Sequence, residues 1–214
     1  MNWLRAATLL AGVLPAYGAA GHYAGTGAGP HGNAEEIASA REALRQATAA
    51  YGEDHPVTAF MLNNLALAMR EGGYFNYAGQ YAGQALAILE RRFGPNDVSL
   101  APPLNVLAEA AVSECRYGEA RAFAMRAVAI GPDAGAHYGT ALHDLAAVYH
   151  AEGNYGKAAE YYREALAAWE KVLPAGHPFF RITRMALDQV RRPAKLSAHR
   201  QEASRGRFSP ENGR

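Results

Sequence analysis

The sequence predicts an all-α fold: an α-α superhelix of about three helix pairs, with a single helix flanking the stack at each end. Two observations predict it. One short pattern of leucines, an aromatic and alanines returns three times at fixed offsets. Alanine is abundant while β-branched residues are sparse, which favours closely packed helices over sheets.

The repeat is explicit in the residues. Leu62-Asn63-Asn64-Leu65-Ala66 returns as Leu104-Asn105-Val106-Leu107-Ala108 and as Leu142-His143-Asp144-Leu145-Ala146. Ten residues after each second leucine stands an aromatic, Phe75, Tyr117 or Tyr155. Alanines follow it three and ten residues on: Ala78 and Ala85, Ala120 and Ala127, Ala158 and Ala165. The leucines, three residues apart, share one face of a first helix that ends near Gly72-Gly73 or Gly153-Asn154. The alanines mark a second helix whose small side chains let two backbones approach closely. From Ala43 to Leu65 and from Ala85 to Leu107 is 22 residues, but from Ala127 to Leu145 only 18. The missing four amount to about one helical turn, so the second helix of the middle unit should end near Ile130, where Gly131-Pro132-Asp133 breaks it. The expected units are 57–93, 98–130 and 138–171, with flanking helices at 35–51 and 179–191.

The ends read differently. Residues 1–20 have the layout of a secretory signal peptide: Arg5, a short apolar run to Leu14, Pro15, then small residues at Ala16, Gly18, Ala19 and Ala20. The run is shorter than the roughly 20 residues a membrane helix needs, and no later stretch supplies a transmembrane segment. The expected setting is therefore periplasmic or secreted, with the cytoplasm as the alternative. Residues 21–34 are glycine-rich and expected as a flexible linker. Residues 192–214 are expected as a disordered basic tail; from Arg191 to the end there are seven Lys or Arg against two Glu.

With these residues in place, the pattern resembles the tetratricopeptide repeat. Residues 153–166, Gly-Asn-Tyr-Gly-Lys-Ala-Ala-Glu-Tyr-Tyr-Arg-Glu-Ala-Leu, follow its consensus closely. Tyr51-Gly-Glu-Asp-His55-Pro56-Val57 before Leu62-Asn-Asn-Leu-Ala resembles the longer repeats of kinesin light chains and their bacterial relatives, and Phe93-Gly-Pro-Asn-Asp97-Val98 and Leu173-Pro-Ala-Gly-His177-Pro178 echo that junction. The resemblance implies a solenoid over roughly residues 35–190, used as a peptide- and protein-binding scaffold. Cys115 departs from the pattern, standing where Gly73 and Gly153 stand in the other copies. Arg184 replaces a leucine in the last helix, which should make residues 179–191 a polar-faced cap.

The resemblance also implies where a partner would lie. In such arrays the first helices line a concave groove, and the residue after the first leucine faces it: Asn63, Asn105 and His143. On the same faces lie Phe60, Leu67, Arg70, Glu109, Val112, Thr140, Ala147 and His150. Asparagine amides carry both donors and acceptors and can hold the backbone of an extended peptide without reading its side chains. Arg70 is a candidate for a carboxylate, and Phe60 or Leu67 for an apolar side chain. Asn64 and Asp144, one place on, suit packing or capping. The expected partner is thus a protein or an extended peptide; the alternative is a homo-oligomer formed through the alanine-rich convex helices.

No catalytic motif accompanies the repeats. The chain has neither Gly-x-x-x-x-Gly-Lys-Ser/Thr nor Gly-x-Ser-x-Gly, and an enzyme is not expected. His143 and His150 are seven residues apart, about 10.5 Å along a helix, too far for one metal ion. His55 and His177 precede prolines and suit turns. With one cysteine, Cys115, no intrachain disulfide or Cys-based metal site can form. No metal and no cofactor are expected. A net charge of +1 argues against a nucleic-acid partner, and a tail whose single aromatic is Phe208 offers little for base stacking.

Overall fold

The structure is a computed structural model that describes residues 33–191. The signal peptide at 1–20, most of the 21–34 linker and the 192–214 tail lie outside the described residues. Within them the chain is an all-α solenoid. Helix α1 spans Ala34–Tyr51. Three pairs follow: α2 (Pro56–Glu71) with α3 (Phe75–Phe93), α4 (Ala101–Ser113) with α5 (Tyr117–Ile130), and α6 (Ala136–Ala151) with α7 (Tyr155–Glu170). A last helix, α8, covers residues 178–191. Asn33 and Ala34, expected in the linker, belong to the fold. Asn33 is buried and its Nδ2 donates to the Ala68 carbonyl at 2.6 Å, tying α1 to α2.

The repeated residues explain the pairs. Ala78, Ala85, Ala120, Ala127, Ala158 and Ala165 are all fully buried, so the second helices meet the first ones methyl to backbone. Leu62, Leu65 and Met69 fill the other side of the first seam, as Leu142, Leu145 and Tyr149 do in the third. Leu107 is the exception and stays half-buried. Helix α5 ends at Ile130, after 14 residues against 19 for α3, where Gly131 takes φ +91° and Pro132 opens a short 3-10 turn.

The turn inside each pair is one recurring motif. The N–H of Tyr74, Arg116 and Asn154 reaches back to the carbonyls of Met69, Ala111 and Tyr149, and the residue before each donates to Arg70, Val112 and His150. This double closure satisfies carbonyls that a helix end leaves open, and it requires a left-handed residue. Gly73 and Gly153 supply it at φ +79° and +75°. Cys115 occupies the same conformation at φ +58°, the one non-glycine residue with positive φ among the described residues.

The junctions between units are capped by side chains. His55 Nδ1 accepts from the Val57 N–H at 3.2 Å and His177 Nδ1 from the Phe179 N–H at 3.3 Å. Asp97 accepts from the Ser99 N–H at 2.9 Å. The paired prolines Pro102 and Pro103 sit in the first turn of α4, where a missing N–H costs nothing.

Curvature follows from which helices touch. Helix α2 packs on α4 and α4 on α6, while no comparable contact joins α3 to α5 or α5 to α7. The first helices therefore form the inner wall and the second helices fan out behind it. Helix α8 closes the stack: Phe180, Thr183 and Val190 are buried against α6 and α7, and Arg181, Arg184, Met185 and Asp188 face out. Among the described residues no helix is long and apolar enough to cross a membrane.

Candidate binding groove

The inner wall is built by one face of α2, α4 and α6. Phe60 stands exposed at the start of α2, 39% accessible, and Leu67 is half-buried further along it. Asn63 and Asn105 occupy matched positions in successive first helices but do not lie open on a surface. They are 7% and 3% accessible. Asn105 Nδ2 donates to the His137 carbonyl of α6 at 3.0 Å. The Oδ1 of Asn63 and that of Asn105 are both buried with no hydrogen-bond partner. A buried amide oxygen without a donor costs about 1–3 kcal/mol, and both oxygens are closed to solvent.

His143, the third member of the expected ladder, has a different environment. It is 3% accessible and enclosed by the rings of Tyr162 and Trp169, with Nδ1 hydrogen-bonded to the Thr183 hydroxyl at 2.8 Å. Burial drives its pKa down to about 3, so the ring is neutral. Its role is to seal α6 against α7 and α8, not to face a ligand. Thr140 is also buried and returns its hydroxyl to the Ala136 carbonyl. Asp144 is buried as well, and its charge adds to burial in raising the Tyr162 pKa. His150 is half-buried near the far end, its ring edge against Tyr155 at 5.9 Å.

Arg70 is not free to receive a carboxylate from outside. Its Nη1 lies 3.0 Å from Glu109 Oε1, an ion pair bridging α2 and α4, and its Nη2 lies 3.9 Å from Glu71 Oε1. The Arg70 and Glu109 side chains are only 12% and 11% accessible. His137, though solvent-accessible, is crowded enough that desolvation, and then the Arg70 charge, lowers its pKa. Spacing within one helix missed three of these partners: Glu71, the His137 carbonyl and Thr183. Glu71, next to Arg70, carried the one usable signal. Among the described residues no group of His, Cys, Asp or Glu is placed to hold a metal ion.

Comparison with known proteins agrees with this fold. A family model described as "Tetratricopeptide repeat" matches residues 139–179, which run from α6 through α7 into α8. No curated protein matches the chain. Among solved structures, the nearly identical TPR-like repeats of a putative kinesin light chain from Podosopora anserina are 20% identical, over 80% of this chain and 83% of that one, with a TM-score of 0.59. A point variant of that same protein is 20% identical over 80% and 82%, with a TM-score of 0.60. BtubC (BKLC) from P. vanneervenii is 19% identical over 86% of this chain and 78% of its own, with a TM-score of 0.64. The chain thus carries a tetratricopeptide repeat at residues 139–179 and has the solenoid fold of the tetratricopeptide proteins, those like kinesin light chains among them.

Proposed function

We propose that the chain is a non-catalytic scaffold whose inner wall holds an extended segment of a partner protein or peptide. Protein interaction is the common use of this repeat, and the carrying observation is the continuous inner wall that the first helices α2, α4 and α6 form, with Phe60 exposed on it. Leu67 and His150 are half-buried on the same helices, the Arg70–Glu109 ion pair bridges α2 and α4, and Thr140 and His143 are buried.

The test is capture of partners from the native cell by the full chain and by a Phe60→Ala, Leu67→Ala variant of matched thermal stability. Losing both apolar contacts should weaken capture by roughly 30-fold, equivalent to about 2 kcal/mol. Undiminished capture rejects the groove. We further propose an exported setting, supported by the signal-like layout of residues 1–20. The same recovered protein should begin at Ala19 or Gly21; a chain beginning at Met1 rejects export.

A further inference from the structure

We infer that the two ends of the solenoid fit each other, so that copies of the chain add head to tail, α8 of one copy pairing with α1 of the next. The inference is independent of the inner-wall reading and rests on where the repeat is cut. Helix α1 is a second helix without its first. Glu36, Ala40 and Ala43 stand 42 residues before Ala78, Ala82 and Ala85, the alanines on which α3 meets α2. Those three alanines are fully buried, whereas Glu36 is exposed and Ala40 and Ala43 are half-buried. Helix α8 is a first helix without its second. Its buried Phe180, Thr183 and Val190 stand 80 residues after Leu100, Pro103 and Ala110, which are buried in and just before α4. On the face that α5 covers, Leu104, Ala108 and Ala111 are fully buried, but their counterparts in α8 are Arg184, Asp188 and Arg191, all exposed.

Each end is thus half of a pair, and the halves complement one another in charge and in volume. Set against each other as the internal pairs are, α8 and α1 bring Arg191 opposite Glu36, where Met69 lies on Ala78 and Tyr149 on Ala158. Arg184 comes opposite Ala43, where Leu62 lies on Ala85 and Leu142 on Ala165. Alanine leaves room for the arginine stem, and the guanidinium stays at the rim in water. The exposed row on α8, with Arg181 extending it, holds three arginines and one aspartate, while α1 opens on Glu35 and Glu36. The arginines now have only loose local contacts: Arg191 lies 3.8 Å from Asp188, and Arg184 is 5.7 Å from the Phe180 ring centre. Met185, 55% accessible, has the position that Asn105 has in α4, where α6 meets it. Helix α2 of the next copy covers it in the same way. The two surfaces that meet are different, so the contact is heterologous and each added copy presents a new end.

The test is equilibrium sedimentation of the full chain between about 10 μM and 1 mM, the range suited to a contact of one helix pair. The mean mass should rise with concentration past that of two copies. Glu36→Arg and Arg191→Glu should each raise the apparent Kd at least about 10-fold, since each sets like charges against each other. An equimolar mixture of the two variants should regain association, because both ends of one then meet opposite charges on the other. Ala43→Trp blocks the alanine face of α1 without changing charge. It should also abolish association, and it keeps the test open if a charge reversal folds poorly. A chain that stays monomeric throughout, a mass that levels off at two copies, or association that ignores the reversals or is not regained by the mixture overturns the inference.

Discussion

The third helix pair is packed around rings and the middle pair around methyl groups. Between α6, α7 and α8 lie Trp169, Tyr162, His143 and Phe180, all buried. Trp169 Nε1 donates to the Ala136 carbonyl at 3.0 Å, and its ring lies against Gly139 and Phe179. Between α4 and α5 the fully buried side chains are mostly alanines, Ala108, Ala111, Ala120, Ala124 and Ala127, with Leu104 beside them. The backbones nevertheless follow one plan, down to the paired hydrogen bonds of the internal turn. The difference teaches that the repeat's offsets fix where helices run, while the volume between them is filled by whatever each unit supplies. It also shows where misfit collects: at a glycine under a large ring in the third pair, and at a cysteine in a glycine's conformation in the middle pair.

Substitutions can break this comparison at its sharpest point. A Cβ at Gly139 would sit 2.4 Å from Trp169 Nε1, whereas one at Gly118 in α5 would meet nothing within 4 Å. Gly139→Ala should displace the tryptophan and approach the loss from Trp169→Ala, roughly 3–5 kcal/mol. Gly118→Ala should instead stabilise by about 0.5–1 kcal/mol. Urea unfolding of the three variants checks this, and equal effects at the two glycines would contradict it.

The next largest effect concerns protons. His143 has a folded pKa of about 3 against an ordinary 6.5, because burial penalises its charged form. The unfolded chain therefore binds the proton more readily. The neutral ring's contribution is complete above pH 6.5 and is lost as pH falls from 6.5 toward 3. By pH 4 the loss should reach roughly 3 kcal/mol. Melting curves from about pH 7 to about pH 4 should show a steeper decline for the native chain than for His143→Asn. Parallel declines would remove His143 as the cause. Asn105, at the matched position of the middle pair, has nothing to titrate.

The smallest effect sharpens the comparison from the other side. Cys115 holds φ +58° where the other pairs have glycine. Cys115→Gly should stabilise the chain by about 1 kcal/mol, since the left-handed penalty of a side chain is relieved. A melting temperature that falls would show that the exposed thiol makes a compensating contact with Tyr117, whose hydroxyl lies beside it.

Much of the fold was legible because it depends on spacing along one chain. Ala78 and its equivalents announced the seams, the missing four residues before Leu145 announced the early end of α5, and Cys115 stood visibly in a glycine's place. The groove was less legible because it depends on the stagger between helices. Nothing in the spacing of Arg70 and Glu109, 39 residues apart, says that they meet. Asn63, Asn105 and His143 share a position and read alike, yet only His143 is roofed by Thr183 and Trp169 from distant turns. Residue type at a repeat position names the direction a side chain takes, and the neighbouring unit decides what it finds there.

Each outer helix packs on the inner helix of the next unit, but the outer helices make no comparable contact with one another, so their lengths are at liberty to differ. Helices of 19, 14 and 16 residues stand side by side on the outside without disturbing the register within. For protein engineering this makes the back of the molecule the place to extend a helix, add a tag or graft a loop. The spacing between Asn63 and Asn105 should survive such changes.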